Sequence, residues 1–254
     1  MKIVNLGTSH GDPTATRYQS STLIETGGKY YLVDAGEPVS ASLIRRGIIP
    51  ANLTAVFITH MHVDHTGGLP VLIEQSMKYQ KWIKSPMPKF LIPDEKAIAP
   101  LKNWLCANQI VDVMNLDTIQ TISPQKGYDD GNLCVRAFSN GHLDWCAKGL
   151  GSNSYCLKIS AEGKQVFFTG DLASDYADLP VEAADGCDLM FSELTHFPIE
   201  KALPVLEKLH LGKLIFYHLM NPWQTQQGRE RAQELCKGLA YPVELAFDGM
   251  ETTL

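Results

Sequence analysis

The chain has 254 residues, of which 44% are hydrophobic and 20% are charged, and this composition excludes an intrinsically disordered protein. Its length suits one large α/β domain, and we predict a single domain over residues 1–254. The formal net charge of −6 makes a long nucleic acid an unfavourable partner, because proteins that bind nucleic acids usually present basic surfaces.

The sequence predicts a cytoplasmic protein that does not span a membrane. It contains no run of 18 apolar residues, and residues 1–13 lead from Met1 into a short strand-like run and a Gly/Pro loop, not into a signal peptide. None of the six cysteines is spaced as Cys-x-x-Cys. We therefore expect free thiols in a reducing compartment.

The first half of the chain predicts strands, one of them paired as a hairpin, and three helices. In chain order these are a strand in KIVNLG (2–7), a hairpin turning at Gly27-Gly28, a helix around 37–46, a buried strand in TAVFITH (54–60), a helix after Gly68 and a helix near 94–107. The remainder of residues 84–130 is mixed in character and rich in proline.

The second half of the chain predicts the same kinds of element, namely strands, a hairpin and helices. In chain order we predict a strand in NLCVRAF (132–138), a hairpin turning at Glu162-Gly163, strands in CDLMFSEL (187–194) and KLIFYHL (213–219) with a helix in 199–210 between them, a helix in 226–240 and a closing segment VELAFDGM (243–250).

Four apolar runs have, at their last or penultimate position, a residue that can bind a metal or transfer a proton. These runs are VFITH, VFFTGD, MFSEL and LIFYH. Buried strands that finish in such residues are the way in which α/β folds gather chemistry at one edge of a sheet. The sequence therefore predicts a site built from these strand ends.

The segment ITHMHVDHTGG (58–68) places three histidines and one aspartate within six positions. Residues two apart on an extended segment point the same way, so His60 and His62 can bind one ion together. A turn then presents Asp64 and His65 to a second point. Imidazole and carboxylate groups suit zinc, and also iron or manganese. The alternative is a polar turn with solvated histidines, which the preceding strand and following Gly-Gly disfavour.

Further ligands are expected from the other strand ends. Asp171 can bridge two metals, since it can use one oxygen for each, although it could also be a turn residue after glycine. His218 ends a strand and is either a ligand or a satisfied core histidine. His142 follows a strand and a glycine turn. His196 is its rival, as a ligand, a proton donor or a loop residue.

These motifs resemble the metallo-β-lactamase superfamily of metal-dependent hydrolases, most closely its ribonuclease Z and cyclic phosphodiesterase branch. The stretches that carry the resemblance span nearly the whole chain and are NLGTSHGDPTATRYQSSTLIE, YLVDAGE, FITHMHVDHTGGLP, FFTGDL and AFDGM. The resemblance implies an α/β fold, the four-layer αββα sandwich, with a dinuclear site at one edge between two sheets. It also implies a homodimer, because dimers are common in this branch.

The resemblance further implies which residues bind two divalent ions, expected to be zinc, with manganese or iron as alternatives. One ion would be bound by His60, His62 and His142, the other by Asp64, His65 and His218, and Asp171 would lie between them. Asp34 of LVDAGE matches a family aspartate that supports the site from behind.

The sequence departs from the ribonuclease Z pattern in two ways. Ser192 stands where the His-Glu-Ala-Thr motif of that enzyme has its histidine, whereas the glutamate of the motif is present as Glu193. His196, four residues after Ser192, could act in place of the missing histidine. The long Gly/Pro-rich arm that clamps tRNA has no evident counterpart. Both departures disfavour tRNA processing.

We therefore expect a dinuclear metal-dependent hydrolase that cleaves a small phosphodiester by a metal-activated hydroxide. Asp64 would hold or deprotonate the attacking water, and Glu193 or His196 would protonate the departing oxygen. Ser152–Ser154 would contact the phosphate of the substrate, or they form a simple polar turn. Lactone, thioester or sulfate ester hydrolysis is the alternative, followed by tRNA 3′ processing. Flavin-linked di-iron chemistry is disfavoured because that branch usually has glutamate where this chain has His62, and because 254 residues cannot include its additional flavodoxin domain. A non-catalytic metal-binding module is disfavoured because the set of candidate ligands is intact.

Overall fold

Two mixed β-sheets of seven strands each face one another in the computed structural model, which describes residues 1–145 and 152–254. The first sheet consists of β1 (Lys2–Gly7), β2 (Ser21–Thr26), β3 (Lys29–Val33), β4 (Leu53–Phe57), β5 (Lys89–Ile92), β6 (Ile119–Thr121) and β14 (Glu251–Thr253). In the order β14-β1-β2-β3-β4-β5-β6, pairing is antiparallel as far as β3 and parallel beyond it.

The second sheet has the same mixture of pairings. It consists of β7 (Tyr128–Asp129), β8 (Cys134–Ser139), β9 (Tyr155–Ala161), β10 (Lys164–Phe168), β11 (Leu189–Leu194), β12 (Leu214–Leu219) and β13 (Val243–Leu245). In the order β13-β12-β11-β10-β9-β8-β7, pairing is parallel as far as β10 and antiparallel beyond it. Both predicted hairpins are present, with Gly27 and Gly28 at φ of 54° and 72° at the first turn.

The described residues also form helices, most of which cover the outer faces of the two sheets. They are α1 (Val39–Arg45), α2 (Val63–Thr66), α3 (Leu69–Ile83), α4 (Ile98–Ala107), α5 (Val181–Ala184), α6 (Ile199–Leu206) and α7 (Gln226–Cys236). Short 3₁₀ turns occupy Pro50–Asn52, Glu95–Ala97, Val111–Asn115 and Asn221–Gln224. Side chains of α1, α3 and α4 pack on the first sheet, and those of α6 and α7 pack on the second.

The buried strands read as continuous apolar runs because both of their faces are covered. Successive residues of a strand point to opposite faces, so Phe168, Phe191 and Tyr217 pack between the sheets whereas Phe167 and Met190 pack under the helices. The rings of Phe168 and Phe191 are stacked with centroids 4.8 Å apart. The predicted four-layer αββα sandwich is thus confirmed.

Four strands were missed by the sequence analysis, namely β5, β6, β7 and β14. Each has only two to four residues, which is too short for a period of two to stand out. The helix predicted over 199–210 ends at Leu206, and the helix predicted near 94–107 begins with a 3₁₀ turn.

None of the helices in the described ranges combines the length and the apolar character that a membrane span requires. Five of the six cysteines are free, and Cys146 lies outside the described residues.

Replacing Phe191, which is fully buried between the sheets, with alanine should lower the free energy of unfolding by about 3–5 kcal/mol, because a cavity is left that the stacked ring of Phe168 cannot fill. Trp82→Ala is the control, since Trp82 is 68% exposed and its loss should change stability by less than about 0.5 kcal/mol. Urea unfolding at fixed metal concentration measures both. An equal loss of unfolding free energy in the two variants would show that the core between the sheets does not govern stability.

Candidate metal centre

The predicted site residues meet at one edge of the sandwich. β10, β11 and β12 are parallel, so their carboxyl ends lie at the same edge of the second sheet. His60 follows β4 of the first sheet, Asp171 follows β10, and His218 lies near the end of β12. The four apolar runs that end in chemically active residues therefore converge as expected.

The first group of possible ligands contains His60, His62, His142 and Asp171, whose ligand atoms all lie within 4.8 Å of one another. Nε2 of His60 is 3.6 Å and Nε2 of His142 is 3.7 Å from Oδ2 of Asp171. Nδ1 of His62 is 3.4 Å from Nε2 of His142. Three imidazoles and one carboxylate thus face a common point.

The second group shares Asp171 and adds Asp64, His65 and His218. Nε2 of His65 is 3.4 Å from Oδ1 of Asp171, and Nε2 of His218 is 3.3 Å from its Oδ2. Oδ2 of Asp64 lies 3.4 Å from Nε2 of His65. The structure therefore brings all seven predicted ligands together, with Asp171 common to both groups.

The spacing and the unmet bonding of these atoms both fit metal ions. Ligands bound at 2.0–2.1 Å to a tetrahedral ion lie roughly 3.3–3.4 Å apart, close to the 3.3–3.7 Å that separates Asp171 from the four imidazoles. Nε2 of His60, Nε2 of His65 and Oδ1 of Asp171 are buried without a hydrogen-bond partner among residues 1–145 and 152–254. Such atoms are costly unless a cation satisfies them.

The opposite ring nitrogens of these histidines are held from behind. Nδ1 of His65 is 2.8 Å from Oδ2 of Asp34, and Nδ1 of His218 is 2.7 Å from Oγ of Ser20. The backbone N–H of Thr59 donates to Asp34 over 2.8 Å and fixes that carboxylate in turn. Partners of this kind orient each imidazole with Nε2 towards the metal.

Unusual backbone conformations occur at the same place. Asp34 and His218 have φ of 58° and 49°, a region that non-glycine residues adopt only when their surroundings impose it. Gly170, which precedes Asp171, has φ of 58°, and a Cβ there would lie 3.0 Å from the carbonyl oxygen of Tyr155. The chain thus accepts local strain to aim His218 and Asp171 inwards.

Burial and neighbouring charges shift the pKa values within the cluster in different directions. Burial would raise the pKa of Asp171, but the charges of His218 and His65 hold it well below its usual range. At His65, burial is overcome by the charges of Asp171 and Asp34, which raise its pKa well above the usual value. At His60, burial and then the charge of His65 lower the pKa. An ionised Asp171 and a neutral His60 are the forms that bind cations, whereas His65 would release a proton when a metal binds.

Glu193 and His196 form a pair beside the metal ligands. Nδ1 of His196 is 2.9 Å from both oxygens of the fully buried Glu193. Those oxygens also accept the backbone N–H groups of Leu172, Thr195 and His196. Burial would lower the pKa of His196, but the hydrogen bond to Glu193 raises it to about 9. This geometry favours His196 over Glu193 as the group that faces a substrate.

Ser192 cannot replace the histidine that the ribonuclease Z motif carries at this position. It is fully buried, and its Oγ lies 3.1 Å from the hydroxyl of the equally buried Tyr176. The side chain of His196 is instead 33% exposed and reaches the surface of the site, where its Nδ1 lies 3.9 Å from Oδ2 of Asp171.

A cavity of about 580 Å³ opens beside His142 and His196. Three aspartates contribute to its wall, and Trp145, 76% exposed, lies at its rim. These aspartates are Asp144, Asp175 and Asp178. Ser152–Ser154 do not line this cavity. Ser154 accepts a backbone hydrogen bond from Asn140 and so supports the turn that carries His142.

Two supporting residues were missed by the sequence analysis. Ser20 holds His218, and Asp178 joins two ligand-bearing turns because its Oδ2 accepts the backbone N–H groups of Gly141 and Ala173. Neither residue ends an apolar run, and their partners lie far away in the sequence. No local pattern could have identified them.

Comparison with known proteins fits this geometry. The sequence model of a family described as Anti-Pycsar protein Apyc1 matches residues 1–237. The chain belongs to this family. Ribonuclease Z of Pseudomonas putida strain GB-1 is 47% identical over 237 residues, covering 77% of this chain and 72% of that protein.

Solved structures share the fold at low sequence identity. The metallo-β-lactamase fold protein YhfI of Bacillus subtilis has a TM-score of 0.77 at 20% identity, covering 99% of this chain and 98% of that one. Zn²⁺-bound PqqB of Methylobacterium extorquens has a TM-score of 0.70 at 19% identity, with both chains fully covered. The expected superfamily is confirmed: the chain is a metal-dependent hydrolase of the metallo-β-lactamase superfamily, near its ribonuclease Z branch.

His142→Ala should remove metal from the protein, because it deletes a nitrogen of the first ligand group, whereas His196→Ala should leave metal content unchanged and slow turnover. Elemental analysis and initial rates on the same preparations measure the two effects. If His196→Ala lost metal and His142→Ala kept it, the two histidines would exchange roles.

Proposed function

We propose that the chain hydrolyses a small phosphodiester at a centre of two divalent ions, expected to be zinc, with manganese or iron as alternatives. The observation that carries this proposal is the buried carboxylate of Asp171, which is shared by two groups of ligands. His60, His62 and His142 would hold one ion, and Asp64, His65 and His218 would hold the other. The zinc in PqqB supports the choice of metal.

Two such ions, when bound, supply Lewis acidity and lower the pKa of a water from 15.7 to roughly 7. The protein contributes the proton transfers. Asp64 has an oxygen 3.8 Å from Nε2 of His218, inside the second group, where its carboxylate can orient or accept a proton from the attacking water. Burial would raise the pKa of Asp64, but the interaction with His65, 3.4 Å from its Oδ2, lowers it and keeps the side chain ionised.

His196 is proposed to protonate the departing oxygen. Its Nδ1 is held by Glu193, which leaves Nε2 as the nitrogen that can give a proton towards the cavity. Because Glu193 keeps the imidazole protonated near neutral pH, the group starts the reaction as an acid. Glu193 would therefore act by positioning and charging His196.

The wall of the cavity favours a small substrate over a folded RNA. Asp144, Asp175 and Asp178 place negative charge beside His142 and His196, and the chain carries a net charge of −6. An extended polyanion would meet this charge along its length, whereas a single diester can be neutralised by the metal centre. A phosphodiester with small substituents therefore fits the site better.

Cleavage of RNA is the second candidate, because the relative in Pseudomonas putida that is 47% identical is a ribonuclease Z. Ribonuclease and small-diester chemistry need the same two ions, so the metal centre alone does not distinguish them. Lactone, thioester or sulfate ester hydrolysis on the same fold is the remaining alternative.

The test compares kcat/KM for bis(p-nitrophenyl) phosphate, a cyclic nucleotide and a precursor tRNA under one metal condition. We expect at least one small diester to exceed the tRNA. Site-specific cleavage of the tRNA that is far more efficient than cleavage of either small diester would favour RNA as the substrate. Turnover only of lactones or thioesters would favour hydrolysis of those esters.

His196→Gln sharpens this test in the same assays. It should lower kcat for the cyclic nucleotide by about 10²–10⁴, because an alkoxide needs a proton to depart. It should affect bis(p-nitrophenyl) phosphate much less, because p-nitrophenolate leaves as a stable anion. An equal loss on both substrates would argue against a proton donor at this position.

A further inference from the structure

A second polar cavity, of about 310 Å³, lies next to the segment that follows His218. It is lined by Thr16, Arg17, Gln224, Arg229, Phe247 and Asp248. None of these residues belongs to the metal centre. The cavity is formed by residues from three parts of the sequence, 16–17, 224–229 and 247–248, and it is lined by two guanidinium groups.

Both arginines have N–H groups for which the described part of the chain offers no acceptor. Arg17 is only 3% exposed, and its Nη1 donates to Oγ1 of Thr8 over 2.6 Å and to the carbonyl oxygen of Ala246 over 2.7 Å. A guanidinium has five N–H groups, and the other three of Arg17 have no acceptor within residues 1–145 and 152–254. Nε of Arg229 is likewise buried with no partner among those residues.

The charge of the cavity is also unbalanced. Asp248 is its only carboxylate among the described residues, and the two oxygens of Asp248 already accept from Oγ1 of Thr8 and from the backbone N–H of Tyr18. Burial, and after it the charge of Arg229, lowers the pKa of Arg17. Two permanent cations thus face one engaged anion, and an additional anion would relieve the imbalance.

We propose that this cavity is a phosphate-binding subsite, separate from the metal centre. Its free donors come from two planar guanidinium groups, which match the several oxygens of a phosphate. Phe247 is 47% exposed, and its ring centroid lies 5.9 Å from the guanidinium of Arg229, so the ring keeps that group in place at the mouth. The phosphate could be free in solution or could be carried by a larger substrate.

A chain of hydrogen bonds connects the subsite to the metal centre. Nε2 of Gln224, in the cavity wall, donates to Oγ of Ser9 over 3.1 Å. Oγ of Ser20 lies 3.4 Å from the carbonyl oxygen of Ser9 and 2.7 Å from Nδ1 of His218. A phosphate in the cavity would therefore sit beside the residues that orient His218, as a second phosphate of a bound substrate could.

Phosphate binding can be read from individual arginines in the metal-loaded protein. Inorganic phosphate is titrated while the Nε–H resonances of the arginine side chains are followed by NMR and assigned with single variants. We expect the resonances of Arg17 and Arg229 to shift with saturation, and that of Arg231 to stay in place. Arg231 lies on the same helix but pairs with Glu200 and packs over Trp223, outside the cavity.

Calorimetry with matched variants completes the test. Arg229→Gln should weaken the binding of inorganic phosphate to the subsite at least about tenfold and leave the binding of phosphate at the metal centre unchanged. Arg231→Gln should bind phosphate as the wild type does. The guanidinium of Arg229 makes no hydrogen bond with any described residue, so its variant should keep the wild-type melting temperature. Unmoved resonances of Arg17 and Arg229, or unchanged affinity in a folded Arg229→Gln, would overturn the proposal.

The same variant separates the two sources of the phosphate. If the subsite serves a substrate, Arg229→Gln should raise KM for a diester that carries a second phosphate and leave KM for bis(p-nitrophenyl) phosphate unchanged. If it serves free phosphate, both KM values should stay the same while the binding of inorganic phosphate is lost.

Discussion

The buried carboxylate of Asp171 is the constraint on which the rest of the site depends. It lies between Nε2 atoms of four histidines, 3.3–3.7 Å from each, and one of its oxygens has no hydrogen bond with the residues that the structure describes. Imidazole nitrogens and a carboxylate this close cannot all be satisfied by one another without protonating the cluster. The two cations of the proposed function would resolve the conflict, because every one of these atoms would then be a ligand.

The sandwich supplies the rigidity that this arrangement requires. Asp171 and His218 follow or end parallel strands of the second sheet, while His60 follows a strand of the first, so the site forms only when the two sheets pack. The interior layer of Phe168, Phe191 and Tyr217 lies between those strands and the opposite sheet. Stability of the core and geometry of the metal centre are therefore two aspects of the same packing.

Several of the candidate ligands could be selected from the sequence because they follow or end long apolar strands, a pattern that is visible in one dimension. His60, Asp171 and His218 each end such a run. Ser20 and Arg229 could not be found in this way, since the residues that they face are distant in the sequence, as with Ser20 and His218, which are 198 residues apart. The edge strands were missed for a different reason: β14 is only three residues long and is defined by its pairing with β1.

The central claim is that two metal ions flank Asp171. Anomalous diffraction from crystals of gently purified protein, recorded at the absorption edge of the metal found by elemental analysis, tests it directly. The account predicts two peaks per chain, one among His60, His62 and His142 and one among Asp64, His65 and His218, with Asp171 in contact with both. A single peak, or none after reconstitution with zinc, manganese and iron, would contradict it.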